Sequence, residues 1–108
     1  MSSHSVMSVK ERAEKVVYAA IDALNEMLPR AQMVDKHPDT ALLGKTGKLD
    51  SAAFINLIVL LEESCEQEFG VAVTVSEDGQ SSGSNPFQNI ATLAQYVQQL
   101  VEAETLRR

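Results

Sequence analysis

Apolar residues recur with helical spacing in three stretches of the chain. From Ser8 the pattern runs Val9, Ala13, Val16, Val17, Ala20, Ile21, Leu24, Leu28, steps of three and four that place one face of a helix on a core. "SVKE" at its start is a capping box, in which the Ser8 hydroxyl can accept from the Glu11 amide and Glu11 can reach back. Pro29 stops the pattern, because the residue before a proline is driven out of the helical region. The first helix is therefore expected over 8–28. A second stretch, 51–68, carries Phe54, Leu57, Ile58, Leu61, Cys65 and Phe69 on one stripe, with Ile55, Val59 and Leu60 off it. A helix apolar over so wide an arc is central to a bundle or offers apolar surface to partners. Gly70 supplies its stop. The last pattern, 92–104, buries Leu93, Tyr96, Val97, Leu100 and Val101 behind "TLAQ", which reads as a second capping box. "NPFQN" suits one further helical turn over 85–90, with Asn85 as cap and Pro86 in the first helical position.

Between these elements the chain reads as connection. Residues 29–50, with Pro38, Gly44 and Gly47, form a long loop that Leu42 and Leu43 are expected to pin to the core. "VAVTV", 71–75, is β-branched enough for a strand, but nothing else in the chain reads as its partner, so it is expected to be an extended packed segment. Residues 76–85 are a polar loop, and 1–7 and 105–108 are tails. The expectation is one all-α domain over 8–104.

Composition narrows the function classes. With 108 residues, 44% of them hydrophobic, the chain suffices for one modest core and has no apolar run of membrane-spanning length. A net charge of −6 disfavours nucleic acid, and no basic recognition helix is visible. The same charge favours basic protein partners. The one cysteine, Cys65, cannot form an internal disulfide, so a reducing, cytoplasmic setting is expected. Its place on the apolar stripe marks it as core rather than nucleophile. The two histidines, His4 and His37, are too dispersed to join Cys65 in a zinc site, and no metal site is expected. Glu62 and Glu63 are adjacent on a helix and diverge, so they make no catalytic dyad. No self-contained catalytic constellation appears, and the chain is not expected to be an enzyme.

Chemistry concentrates in "LLGKTGKLDSAAF", 42–54. "GKT" imitates the tail of a phosphate-cradling loop, but the first glycine of that motif would fall at position 39, which is Asp39, and no strand precedes it. A helix N-terminus, by contrast, gathers free amides and partial positive charge, which favour a phosphate oxygen. Asp50 and Ser51 stand at such a terminus, and as a plain helix cap they would need no further role.

"LDSAAFINLIVLLEE" resembles the prosthetic-group attachment site of acyl carrier proteins, with "LLGKTG" before it, "EFGVAV" after it and "NPFQNIATLAQYV" near the end. The likeness covers about residues 8–103. It implies a four-helix bundle whose third helix is short, with a long loop between helices 1 and 2. It also implies that Ser51 carries a 4′-phosphopantetheine arm taken from coenzyme A, that Asp50 supports the attachment, and that Leu49, Ala52, Ile55, Asn56, Val59, Glu62 and Glu63 face partners. Those partners would be a phosphopantetheinyl transferase (holo-carrier synthase) working with magnesium, an acyl-loading ligase or acyltransferase, and synthase or transferase enzymes of fatty-acid, polyketide or other lipid pathways. A carrier that docks with each in turn is expected to be a monomer. The sequence departs from the family at Ala52, where leucine is usual, and at Asn56, where glutamate is common. Positions 52–61 hold no acid, Lys45 and Lys48 lie just upstream, and acidity begins at Glu62, Glu63, Glu66 and Glu68. The second helix is about one turn longer than the family pattern. These departures point to a specialised stand-alone carrier. An aminoacyl or peptidyl carrier, or an unmodified helical interaction module, would fit the same residues.

Overall fold

The computed structural model describes residues 8–42, 49–75 and 87–106 (of Ser51 and Leu106, the backbone only). They form an all-α arrangement: α1 (Val9–Asn25), α2 (Ser51–Phe69) and α3 (Ile90–Leu106), with a single 3₁₀ turn, Arg30–Gln32, after α1. Helix α1 is the hub, packing against both α2 and α3, which touch each other far less. Its buried stripe, Ala13, Val16, Val17, Ala20, Ile21 and Leu24, is the one its spacing predicts. The Ser8 capping box is present in both directions.

Helix α1 ends at Asn25, three residues before the expected boundary. Ahead of Pro29 the chain tightens, with Met27 N–H donating to Leu24 and Leu28 N–H to Asn25. The Asn25 side chain has a second task. Its carboxamide accepts from Val34 N–H at 2.7 Å and donates to Val34 C=O at 2.9 Å, which seats the buried Val34 on the core. Further along this connection Leu42 is fully buried, as expected; Leu43 lies outside the described residues.

The start of α3 is the second correction. It begins at Ile90 rather than Thr92, because Asn89 is the cap: its Oδ1 accepts from Thr92 N–H at 2.9 Å and Thr92 Oγ1 accepts from Asn89 N–H at 3.1 Å. Thr92 thus sits inside the helix as the returning half of the box. The expected helix 85–90 falls partly on residues 85 and 86, outside the described residues; Phe87–Asn89 are a turn that crosses to Ala41 through an isolated antiparallel bridge. Thr40 C=O, Pro38 C=O and Gln88 C=O accept backbone hydrogen bonds there, so this corner ties the long connection to α3.

Helix α2 is stopped by Gly70, whose φ of 71° is a left-handed conformation that suits glycine. Val71–Val75 then runs without strand pairing among the described residues, and its burial alternates: Val71, Val73 and Val75 buried, Ala72 and Thr74 exposed. That is the period of an extended chain, as expected.

A contact that sequence spacing could not reveal locks the start of α1 to the end of α2. Arg12 Nε donates to Glu68 Oε2 at 2.9 Å, another guanidinium nitrogen donates to the Glu68 carbonyl, Lys15 adds its charge at 3.4 Å, and the guanidinium lies 4.4 Å from the Phe69 ring centroid. The hydrogen bond from Arg12, with help from Lys15, holds the Glu68 carboxyl below its ordinary range. A carboxyl depressed in the fold stabilises it fully above its ordinary value of 4.5, and that contribution is lost as pH falls through the lower folded value. Because the pair is partly exposed and screened, Arg12→Ala is expected to cost about 1–2 kcal/mol at neutral pH. Urea melts of both proteins check this: the gap between them should narrow below the ordinary carboxyl range, and a gap that widens there contradicts the assignment.

Candidate functional site

Asp50 and Ser51 stand where the long connection enters α2. Asp50 has extended backbone geometry and is the N-cap: its Oδ1 accepts from Ala53 N–H at 2.8 Å, and its carbonyl accepts from Phe54 N–H at 2.9 Å. Ser51 is the first helical residue. The cap therefore belongs to Asp50, and Ser51 is not needed for it. No acid occupies the first turn of α2 itself, and the capping carboxylate of Asp50 stands at its partial positive charge. A phosphodiester oxygen is compatible with such an end. Leu49 is half-buried against the core, which anchors the approach to the cap. Lys45 and Lys48 lie outside the described residues.

From Ser51 one outer face of α2 continues through Ala52, Ile55, Asn56 and Val59, all exposed. Ile55 is 52% and Val59 47% exposed, and with Met27 and Met33 they are the exposed large hydrophobics among the described residues. Ile55 and Val59 are four apart and share a face. The core side of α2 is Ala53, Leu57, Ile58, Leu61 and Cys65. The face thus starts apolar and ends acidic at Glu63 and Glu66, both exposed.

Two of the acids are engaged internally. Glu62 is half-buried and accepts from Val75 N–H at 2.9 Å, and Glu68 is held by Arg12. Sequence reading placed Glu62 with the outward acids; its link to Val75 spans a loop return that no local spacing signals. His37 is exposed, and its Nδ1 accepts from Asp39 N–H at 3.1 Å within its own turn. Among the described residues, no group of three or more His, Cys, Asp or Glu is placed to hold a metal ion, and no helix is long and apolar enough to cross a membrane.

Cys65 is fully buried, and its thiol is pushed up to about 11, first by burial and then by the Glu62 carboxylate. The neutral thiol is a core group. A thiol reagent at neutral pH should therefore react only as fast as the protein opens, and should speed up in denaturant; immediate reaction of the native protein would place Cys65 at the surface.

A groove of about 180 Å³ between α1 and α3, lined by Lys10, Tyr18, Pro38, Ile90, Ala94 and Gln98 among others, is smaller than usual small-molecule sites. The distinctive feature is thus a serine in the first position of α2, followed by an apolar outer stripe. No family model, curated protein or solved structure matches the chain.

Proposed function

We propose that the chain is a carrier protein that holds an acyl group as a thioester on a 4′-phosphopantetheine arm attached to Ser51. The observation that carries this reading is the division of labour at the start of α2. Asp50 fills the cap with one carboxylate oxygen, while Ser51, in the first helical position, is dispensable to the cap. A serine so placed sits at the end of a helix whose dipole suits the phosphodiester.

The arm, when attached, would supply the thiol that forms the thioester. The chain's own residues position it. Asp50 fixes the helix start and is the acid next to Ser51 in the chain. Ala52, Ile55, Asn56 and Val59 give an approaching enzyme a surface to rest on, and Glu63 adds charge one turn further along. A flexible arm on a compact acidic body then keeps its cargo at high effective concentration for each partner. The partners in this reading are a phosphopantetheinyl transferase, an acyl-loading ligase or acyltransferase, and the synthase or transferase enzymes that consume the acyl group, in the cytoplasm, with the carrier a monomer.

The four-helix form of this reading needs a short helix ahead of α3. Phe87–Asn89 are a turn, so the described part of 85–90 up to Asn89 is not that helix. The lack of acids over 52–61 supports a dedicated pathway rather than general fatty-acid synthesis.

The test is intact mass after incubation with coenzyme A, magnesium and a broad-specificity phosphopantetheinyl transferase. The wild type should gain one phosphopantetheinyl group. No gain with several transferases would leave an unmodified helical interaction module.

A further inference from the structure

Three aromatic rings fill the seam beside the first turn of α2. Phe54 lies three positions after Ser51, a spacing that makes the two positions neighbours on the helix surface. Its ring stands edge-on to Phe87 at 4.8 Å between centroids, and Phe87 stands edge-on to Tyr96 of α3 at 6.0 Å. Phe54 and Tyr96 are partly exposed, and Phe87 is fully buried. The rings thus run from the surface of α2 through the core to the surface of α3, two helices that otherwise touch little. Leu57 and Leu61 of α2 and Leu93 and Val97 of α3 are fully buried as well. A close-packed interior takes in a further chain only by moving what is there. A chain entering between α2 and α3 would have to displace the rings that join them. Each methylene it buried would gain only a fraction of what withdrawing a buried phenyl ring loses, and ordering the chain would consume part of that gain.

Resting on the carrier reading of Ser51, we propose that the acyl chain is held outside the bundle and that the carrier serves short acyl groups, with Phe54 as the residue that shuts the interior. The outer face of α2 agrees with a short cargo. Ile55, Val59 and Glu63 follow Ser51 at steps of four, so this face turns from apolar to acidic within about 18 Å of the attachment point. A long alkyl chain laid along it would meet the exposed Glu63 carboxylate, and one held away from it would leave its whole length in water. A short acyl group exposes little apolar surface in either place.

The experiment uses the full-length Ser51→Cys protein, alkylated at the introduced thiol with N-ethyl- or N-octyl-iodoacetamide. Buried Cys65 is spared, and intact mass confirms a single adduct. With the rings intact, the two adducts should melt within about 1 °C of each other, and the methyl resonances of Leu57, Leu61, Leu93 and Val97 should be the same in both. Phe54→Ala, or Phe54→Leu should the alanine variant not fold, opens the seam. There the octyl adduct should melt about 4 °C or more above the ethyl adduct and should shift those methyls. An octyl adduct that raises the melting temperature or moves those methyls with the rings intact would overturn the inference. So would Phe54 variants that show no dependence on chain length. The attachment is chemical, so it reads the seam whether or not a transferase accepts Ser51. A chain that no transferase modifies loses the carrier reading; an octyl group inside the ring-intact bundle overturns this inference alone.

Discussion

Phe87→Ala should lower stability by about 3–5 kcal/mol, the largest loss expected from any single truncation in this chain. Phe87 is fully buried and is the largest of the fully buried side chains. Its ring stands edge-on to Phe54 of α2 at 4.8 Å and to Tyr96 of α3 at 6.0 Å between centroids. It therefore fills the space between two helices that otherwise touch each other little. Truncation removes buried apolar surface, two edge-to-face aromatic contacts and the filler of that space, which the neighbouring helices cannot close without leaving α1. Denaturant melts followed by far-ultraviolet circular dichroism give the value. A loss below about 1 kcal/mol would mean that α2 and α3 are held by something other than this ring.

The second large effect is on chemistry rather than stability. Ser51→Ala should abolish acceptance of the phosphopantetheinyl group and leave the melt within about 1 kcal/mol of the wild type. The separation is expected because Asp50, not Ser51, makes the capping hydrogen bond to Ala53 N–H. Asp50→Ala is the complementary variant: it should lower stability by about 1 kcal/mol through loss of the cap. Its slower modification would show in the transferase reaction with Ser51 still present. If Ser51→Ala instead unfolded the protein, Ser51 would be a structural residue and the division of labour at this helix end would not hold.

Much of this was legible in the sequence because the signals were local. The spacing of Ala13 to Leu24 marked the buried face of α1, and the alternating valines of 71–75 marked an extended chain without a partner strand. The same local rules misplaced two boundaries. "TLAQ" satisfies the capping pattern, but the cap of α3 is Asn89, to which Thr92 supplies the returning hydroxyl in place of the usual Glu or Gln, on the turn that reaches the bridge to Ala41. Helix α1 stopped short ahead of Pro29, where the chain tightens, and its last residue, Asn25, clasps Val34 nine residues away. The contacts that were illegible are those between elements distant in sequence. The Arg12–Glu68 lock spans 56 positions, and Glu62 reaches Val75 only after the chain has turned back at Gly70. At the candidate site, the identities of Asp50 and Ser51 were legible; which of them caps the helix was not, since both residue types are favoured caps.

Site-resolved mass spectrometry of the peptide containing Ser51, after incubation with coenzyme A, magnesium and transferase, tests the central claim most directly. The account predicts a phosphopantetheinyl group on Ser51 alone. An unmodified peptide, or the group on another serine such as Ser64, would contradict it.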